Sequence, residues 1–112
     1  MGNEKGVLAG KTSKDLELLQ RHIRLLQIVV ENQPIGIIKL AEMLELPQHK
    51  VRYSLRLLEK DGLITASRAG AKATKKVGSF LDEMMQNLDA MGERVKIVKK
   101  DAERLRKIIG TG

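Results

Sequence analysis

Apolar side chains recur every three or four positions along most of this 112-residue chain. Leu16, Leu19, Ile23, Leu26 and Val30 keep that spacing and predict an amphipathic helix to about Asn32. Thr12 and Asp15 have capping-box spacing and mark its expected start. Leu18, Leu25 and Val29 widen the apolar stripe, so this helix is expected to be covered on two sides. Pro34 breaks it, and Ile35 with Gly36 suits a short strand. Ile37, Leu40, Ala41 and Leu44 then predict a two-turn helix. Pro47 ends it by disfavouring helical backbone at Leu46. A second helix is expected over Gln48–Lys60, stopped by Gly62. Residues 63–67 read as a strand, 68–70 as a turn and 71–73 as its partner strand, with Thr74 as N-cap of a last helix over 75–109.

That last helix carries a strict heptad. Leu81, Leu88, Val95, Ala102 and Ile109 occupy one position, and Met84, Met91, Val98 and Leu105 the other. Such a seam predicts a coiled coil about 50 Å long at 1.5 Å per residue. Gly92 weakens it by about 1 kcal/mol relative to alanine. In a parallel pair Arg94 would oppose the partner's Lys99, a repulsion, while Asp101 would oppose the partner's Arg106. The balance leans towards an antiparallel pair. The alternative is a long helix folded back on its own domain.

Composition narrows the chemistry. Hydrophobic residues make up 42% and aromatics only 2%, so the core is aliphatic and suits helix packed on helix. The absence of cysteine excludes disulfides, thiolate metal sites and thiol catalysis. No apolar run approaches the ~20 residues of a membrane span. The start, MGNEKG, lacks a hydrophobic signal segment, and Gly6 stands where a myristoylation pattern needs Ser or Thr. A cytoplasmic, nucleoid-associated protein is therefore expected, with residues 1–11 as a flexible arm, 12–77 as one domain and 78–109 as a dimerisation helix. Gly10-Lys11-Thr12 looks like the end of a phosphate-binding loop, but Lys5 stands where that loop needs glycine.

The net charge of +7 favours a polyanionic partner, and its distribution says more than the sum. Residues 63–80 hold Arg68, Lys72, Lys75 and Lys76 and no acid, which is +4 of the +7. On a helical wheel of Gln48–Lys60, Val51, Leu55 and Leu58 fall in one arc, and His49, Arg52, Tyr53, Arg56 and Lys60 on the other side. One helix fits a DNA major groove, whose base edges offer acceptors to Arg, Gln and His. Gln48, His49, Arg52 and Tyr53 are assigned to base edges or nearby sugars, Arg56 to either job, and Lys50 and Lys60 to phosphates. A solvated basic face is the blander account of the same residues. The order of helix, tight turn, basic helix, Gly62 and a positively charged strand pair favours DNA.

These residues resemble the winged-helix regulators. The shared pattern is Leu40, Ala41, Glu42, Leu44, then Val51, Leu55, Leu58, Glu59, Gly62, Leu63 and Ile64. Residues 73–78, Ala-Thr-Lys-Lys-Val-Gly, are similar to the start of the helix after the wing. The likeness covers roughly residues 20–82. The long last helix resembles the dimerisation helix of small archaeal winged-helix proteins and of MarR- and PadR-like regulators. The family implies a mainly helical fold with a small β-wing. It also implies that Arg68, at the wing tip, enters or flanks the minor groove, with Lys72 on the phosphates. Two departures stand out: Glu45 where many members have glycine in the turn, and Pro47 where Ser or Thr often caps the recognition helix.

The expectation is thus a homodimeric, sequence-specific, double-stranded-DNA-binding regulator of transcription, dimerised through Leu81, Met84, Leu88, Met91, Val95, Val98, Leu105 and Ile109. No enzyme activity, cofactor, metal, membrane partner or small-molecule effector is expected. His22 and His49 have no ligand partners nearby in sequence, and Asp82, Glu83, Asp89 and Glu93 fall between heptad core positions. The rivals are a winged-helix interaction module of a larger assembly and a chromatin-type protein that coats DNA with little sequence preference.

Overall fold

The computed structural model describes residues 6–110. The chain divides after Lys76 into two compact units. The first holds α1 (Gly6–Asn32), α2 (Ile37–Leu44), α3 (Gln48–Lys60), β1 (Ile64–Ser67) and β2 (Gly70–Ala73). The second is one helix, α4 (Val77–Ile109).

α1 starts at Gly6 and not at Thr12, so Thr12 and Asp15 lie inside a helix rather than at its start. No proline interrupts residues 6–11, so the helix continues through them despite glycines that cost about 1 kcal/mol each. Lys11 and Asp15 add an exposed ion pair across one turn at 3.7 Å. The rest of the expected arm, residues 1–5, lies outside the described residues. The buried strip of α1 is Leu25, Leu26 and Val29, while Leu16 and Val30 are exposed.

α1, α2 and α3 pack on one another around an aliphatic core. Leu40, Ala41 and Leu44 enter it from α2, and Leu58 and the fully enclosed Val51 from α3. The third buried residue of α3 is Ser54, and not Leu55 as the wheel suggested. Leu55 is half-buried. Hydrophobicity alone scores serine as surface. Here a partner on α1 satisfies its hydroxyl, which removes most of the cost of burial.

Both short helices end in left-handed caps. Glu45 follows α2 at φ 55°, ψ 45°, with Glu45 N–H donating to the Glu42 carbonyl and Leu46 N–H to that of Ala41. A non-glycine residue there costs about 1 kcal/mol or more. Gly62 closes α3 the same way at φ +77°. Gly62 N–H donates to the Glu59 carbonyl and Leu63 N–H to that of Leu58. The turn between α2 and α3 is completed by Pro47, which caps α3 through its carbonyl alone.

The hairpin is minimal. β1 and β2 pair antiparallel from Ile64 with Ala73 to Ser67 with Gly70, leaving Arg68 and Ala69 as the tip. Ser67 Oγ donates to the Gly70 carbonyl at 2.8 Å. Ile35 adds a single bridge to β2, giving and taking one hydrogen bond with Ala71 at 3.2 and 2.8 Å. The Gln33–Pro34 peptide bond before it is cis. Gln33 Oε1 also accepts from Ala73 N–H at 2.7 Å. Thr74 ties the far end down. Its N–H donates to the Leu63 carbonyl and its hydroxyl to that of Gly62. Lys76 N–H donates back to the same hydroxyl. Thr74 therefore serves this turn, and α4 begins two residues later than expected, at Val77.

α4 spans 33 residues, and none of them is buried. Leu81, Met84 and Leu88 are half-exposed. Met91, Val95, Val98, Leu105 and Ile109 are exposed, Ile109 to 65%.

Gly70 is the tightest point in the hairpin. Its φ is +130°, and a Cβ there would lie 2.5–2.6 Å from the backbone carbonyl group of Ile35. Gly70→Ala is expected to cost on the order of 2–3 kcal/mol in urea unfolding, through strain and loss of the Ile35 bridge. A loss below about 0.5 kcal/mol would show that neither constraint holds.

Candidate nucleic-acid interface

Val51, Ser54 and Leu58 seat α3 on the core. At about 100° per residue, the side opposite that seat carries His49, Tyr53, Arg56 and Lys60. All four are exposed, Tyr53 to 48%. Gln48 and Arg52 lie on the flank towards the hairpin, and Lys50 on the other flank. These three are exposed as well. The first turn of α3 has no side-chain cap, so its positive end is free to face an anion.

The hairpin stands beside this helix. Arg68 sits at its tip and Lys72 on β2, both exposed. Arg52 and Arg56 share a cleft with Ser67 and Gly70 of the hairpin. Among the described residues, none of the seven basic side chains assigned to DNA forms an ion pair.

A helix, a tight turn, a second helix with a basic outer face and a two-stranded hairpin beside it complete the pattern. The fold is a winged helix-turn-helix. Residues 18–65 match the family described as winged helix-turn-helix DNA-binding. The match begins within α1 and ends within β1, so the second wing strand and α4 lie beyond it. No curated protein matches the chain. α3 is the second helix of the helix-turn-helix, and the hairpin is the wing. Among the described residues there is no group of His, Asp or Glu placed to hold a metal, and no helix long and apolar enough to cross a membrane.

One structural residue pair escaped the sequence reading. His22 Nδ1 on α1 lies 2.9 Å from Ser54 Oγ on α3. Ser54 is fully buried, and no buried side-chain N or O among the described residues lacks a partner. The only sequence clue is the 3-then-4 spacing of Val51, Ser54 and Leu58. Nothing local connects Ser54 to a histidine 32 positions away.

Burial holds the His22 pKa below its ordinary value of 6.5. The neighbouring Arg21 pushes it the same way, and Asp61 pulls it back. The neutral ring is therefore favoured in the folded state. Its contribution to stability is full above the unfolded pKa and is lost as pH falls from there through the folded value. Urea midpoints are expected to drop between about pH 7.5 and about pH 5.5, and to drop less in His22→Gln. Equal drops in both proteins would remove His22 as the cause.

Proposed function

We propose that the protein is a homodimeric, sequence-specific regulator of transcription. α3 lies in the major groove of duplex DNA, and the wing runs along the flanking minor groove and phosphates. The observation that carries this reading is the basic face of α3, without an ion pair among the described residues, beside a basic wing on a fold whose family is described as DNA-binding. His49, Tyr53 and Arg56, with Gln48 and Arg52 on the wing side, contact base edges and nearby sugars. Lys50 and Lys60 contact phosphates. Arg68 enters or flanks the minor groove and Lys72 follows on the backbone. Much of the affinity then comes from counterion release and falls with salt.

Dimerisation rests on α4. A 33-residue helix with a continuous apolar seam and no buried residue needs a partner surface. A second copy supplies the same heptad. Two recognition helices related by a two-fold axis would read half-sites about one or more helical turns apart.

A gel shift comparing the protein's own promoter with random duplex at two salt concentrations tests the function. Preference for the promoter supports it. Equal binding points to a DNA-coating protein, and no binding to an interaction module.

Two substitutions test the parts. Arg68→Ala should weaken binding to all duplexes alike and lower the salt slope by about one unit. An unchanged slope removes the wing from the interface. Leu88→Asp should give a monomer by light scattering and lose most DNA affinity. A variant that stays dimeric rules out the α4 seam.

A further inference from the structure

One polar pair stands in the aliphatic contact between α1 and α3. His22 begins the face of α1 that continues through Leu25, Leu26 and Val29, three, four and seven positions on. Its Nδ1 lies 2.9 Å from Ser54 Oγ. Among the described residues Ser54 is the one buried polar side chain, and it is fully enclosed. His22 is half-buried. The neutral ring accepts from the hydroxyl in one tautomer and donates to it in the other, so the pair closes either way.

We infer, on the reading that α3 lies in the major groove, that His22 and Ser54 are positioning residues. Their hydrogen bond sets the rotation at which α3 meets the bases, although neither side chain faces DNA. Arg52 and Arg56 stand two positions either side of Ser54. Each projects about 200° away from it, on the exposed side. Turning α3 by about 20° would carry a group ~6 Å from its axis through about 2 Å. A hydrogen bond of 2.9 Å is lost beyond about 3.5 Å, and a bidentate contact to a base obeys the same limit. Val51 and Leu58 tolerate such a turn better, because apolar contact has no direction. No large ring keys α3 from inside: the one tyrosine is exposed, and the one phenylalanine lies in α4. Burying a hydroxyl costs stability that an alanine would not. What the pair adds over apolar side chains is a single setting, as one buried polar residue fixes register in a coiled coil. Replacing both partners by apolar groups is close to neutral for stability, so stability and base reading separate in variants.

His22→Leu with Ser54→Ala removes both polar groups. This double variant is expected to keep the circular dichroism and the salt slope of the wild type. Binding to random duplex should stay within about twofold. Preference for the duplex that the wild type selects from a random pool should fall by about tenfold. Ser54→Ala alone, which removes one oxygen, should show the same fall. His22→Asn keeps a polar atom near the place of Nδ1 and should hold the preference within about twofold. In the DNA-free protein, relaxation dispersion at the amides of Arg52, Tyr53 and Arg56 should report millisecond exchange in the double variant and none in the wild type. Undiminished preference in the double variant, an equal loss on selected and random duplexes, or His22→Asn as damaging as the double change would overturn the positioning role. So would a quiet α3 in the DNA-free double variant, whatever the protein binds. A wild type that prefers no duplex contradicts the reading of α3 as a base reader, and the dispersion experiment still decides whether the pair fixes the helix.

Discussion

The strip of α3 that is buried decides what the protein shows to the outside. Val51, Ser54 and Leu58 face the aliphatic core formed with Leu25, Leu26 and Val29 of α1 and Leu40 and Leu44 of α2. Burying each valine or leucine contributes about 1.5–3 kcal/mol. A rotation of the helix by one position would expose two of them and bury a charged side chain. With only one Phe and one Tyr in the chain, no large ring anchors the helix. The His22–Ser54 hydrogen bond adds direction where aliphatic packing alone has little. The basic face is held outward because the opposite face has one good seat.

The wing depends on backbone rather than on side-chain volume. Gly62 ends α3 in a left-handed cap, and Thr74 binds the Gly62 carbonyl from the far end of the hairpin. Gly70 lets β2 approach Ile35 within reach of two hydrogen bonds. These contacts place two four-residue strands beside α3 with hardly any core of their own. The cleft between helix and wing follows from the same economy. The strands are too short, and their side chains too small, to fill the space above Leu55 and Ile64.

Much of this was legible along the chain. The spacing of Ile37, Leu40 and Leu44 gave α2, and Pro47 with Gly62 bracketed α3 to the residue. Glycine at 62 and 70 marked turns whose geometry needs it. The misses share a physical origin. Ser54 looked like surface because its partner is 32 residues away. Thr74 looked like a helix cap because local spacing cannot show that its hydroxyl is taken by the Gly62 carbonyl. Thr12 and Asp15 have the spacing of a helix start, but α1 already runs through residues 6–11. The basic face was visible as residue types. Its division into an outer face and a wing-side flank needed the true buried strip. The α4 seam was legible because all its heptad positions lie on one uninterrupted helix.

The central claim is that this face reads sequence as part of a two-fold pair. Selection of bound duplexes from a random pool tests it most directly. The account predicts enrichment of one inverted repeat, with half-sites separated by about 10 base pairs or a multiple. A pool that stays random after repeated rounds, while the protein still retains DNA, would contradict it.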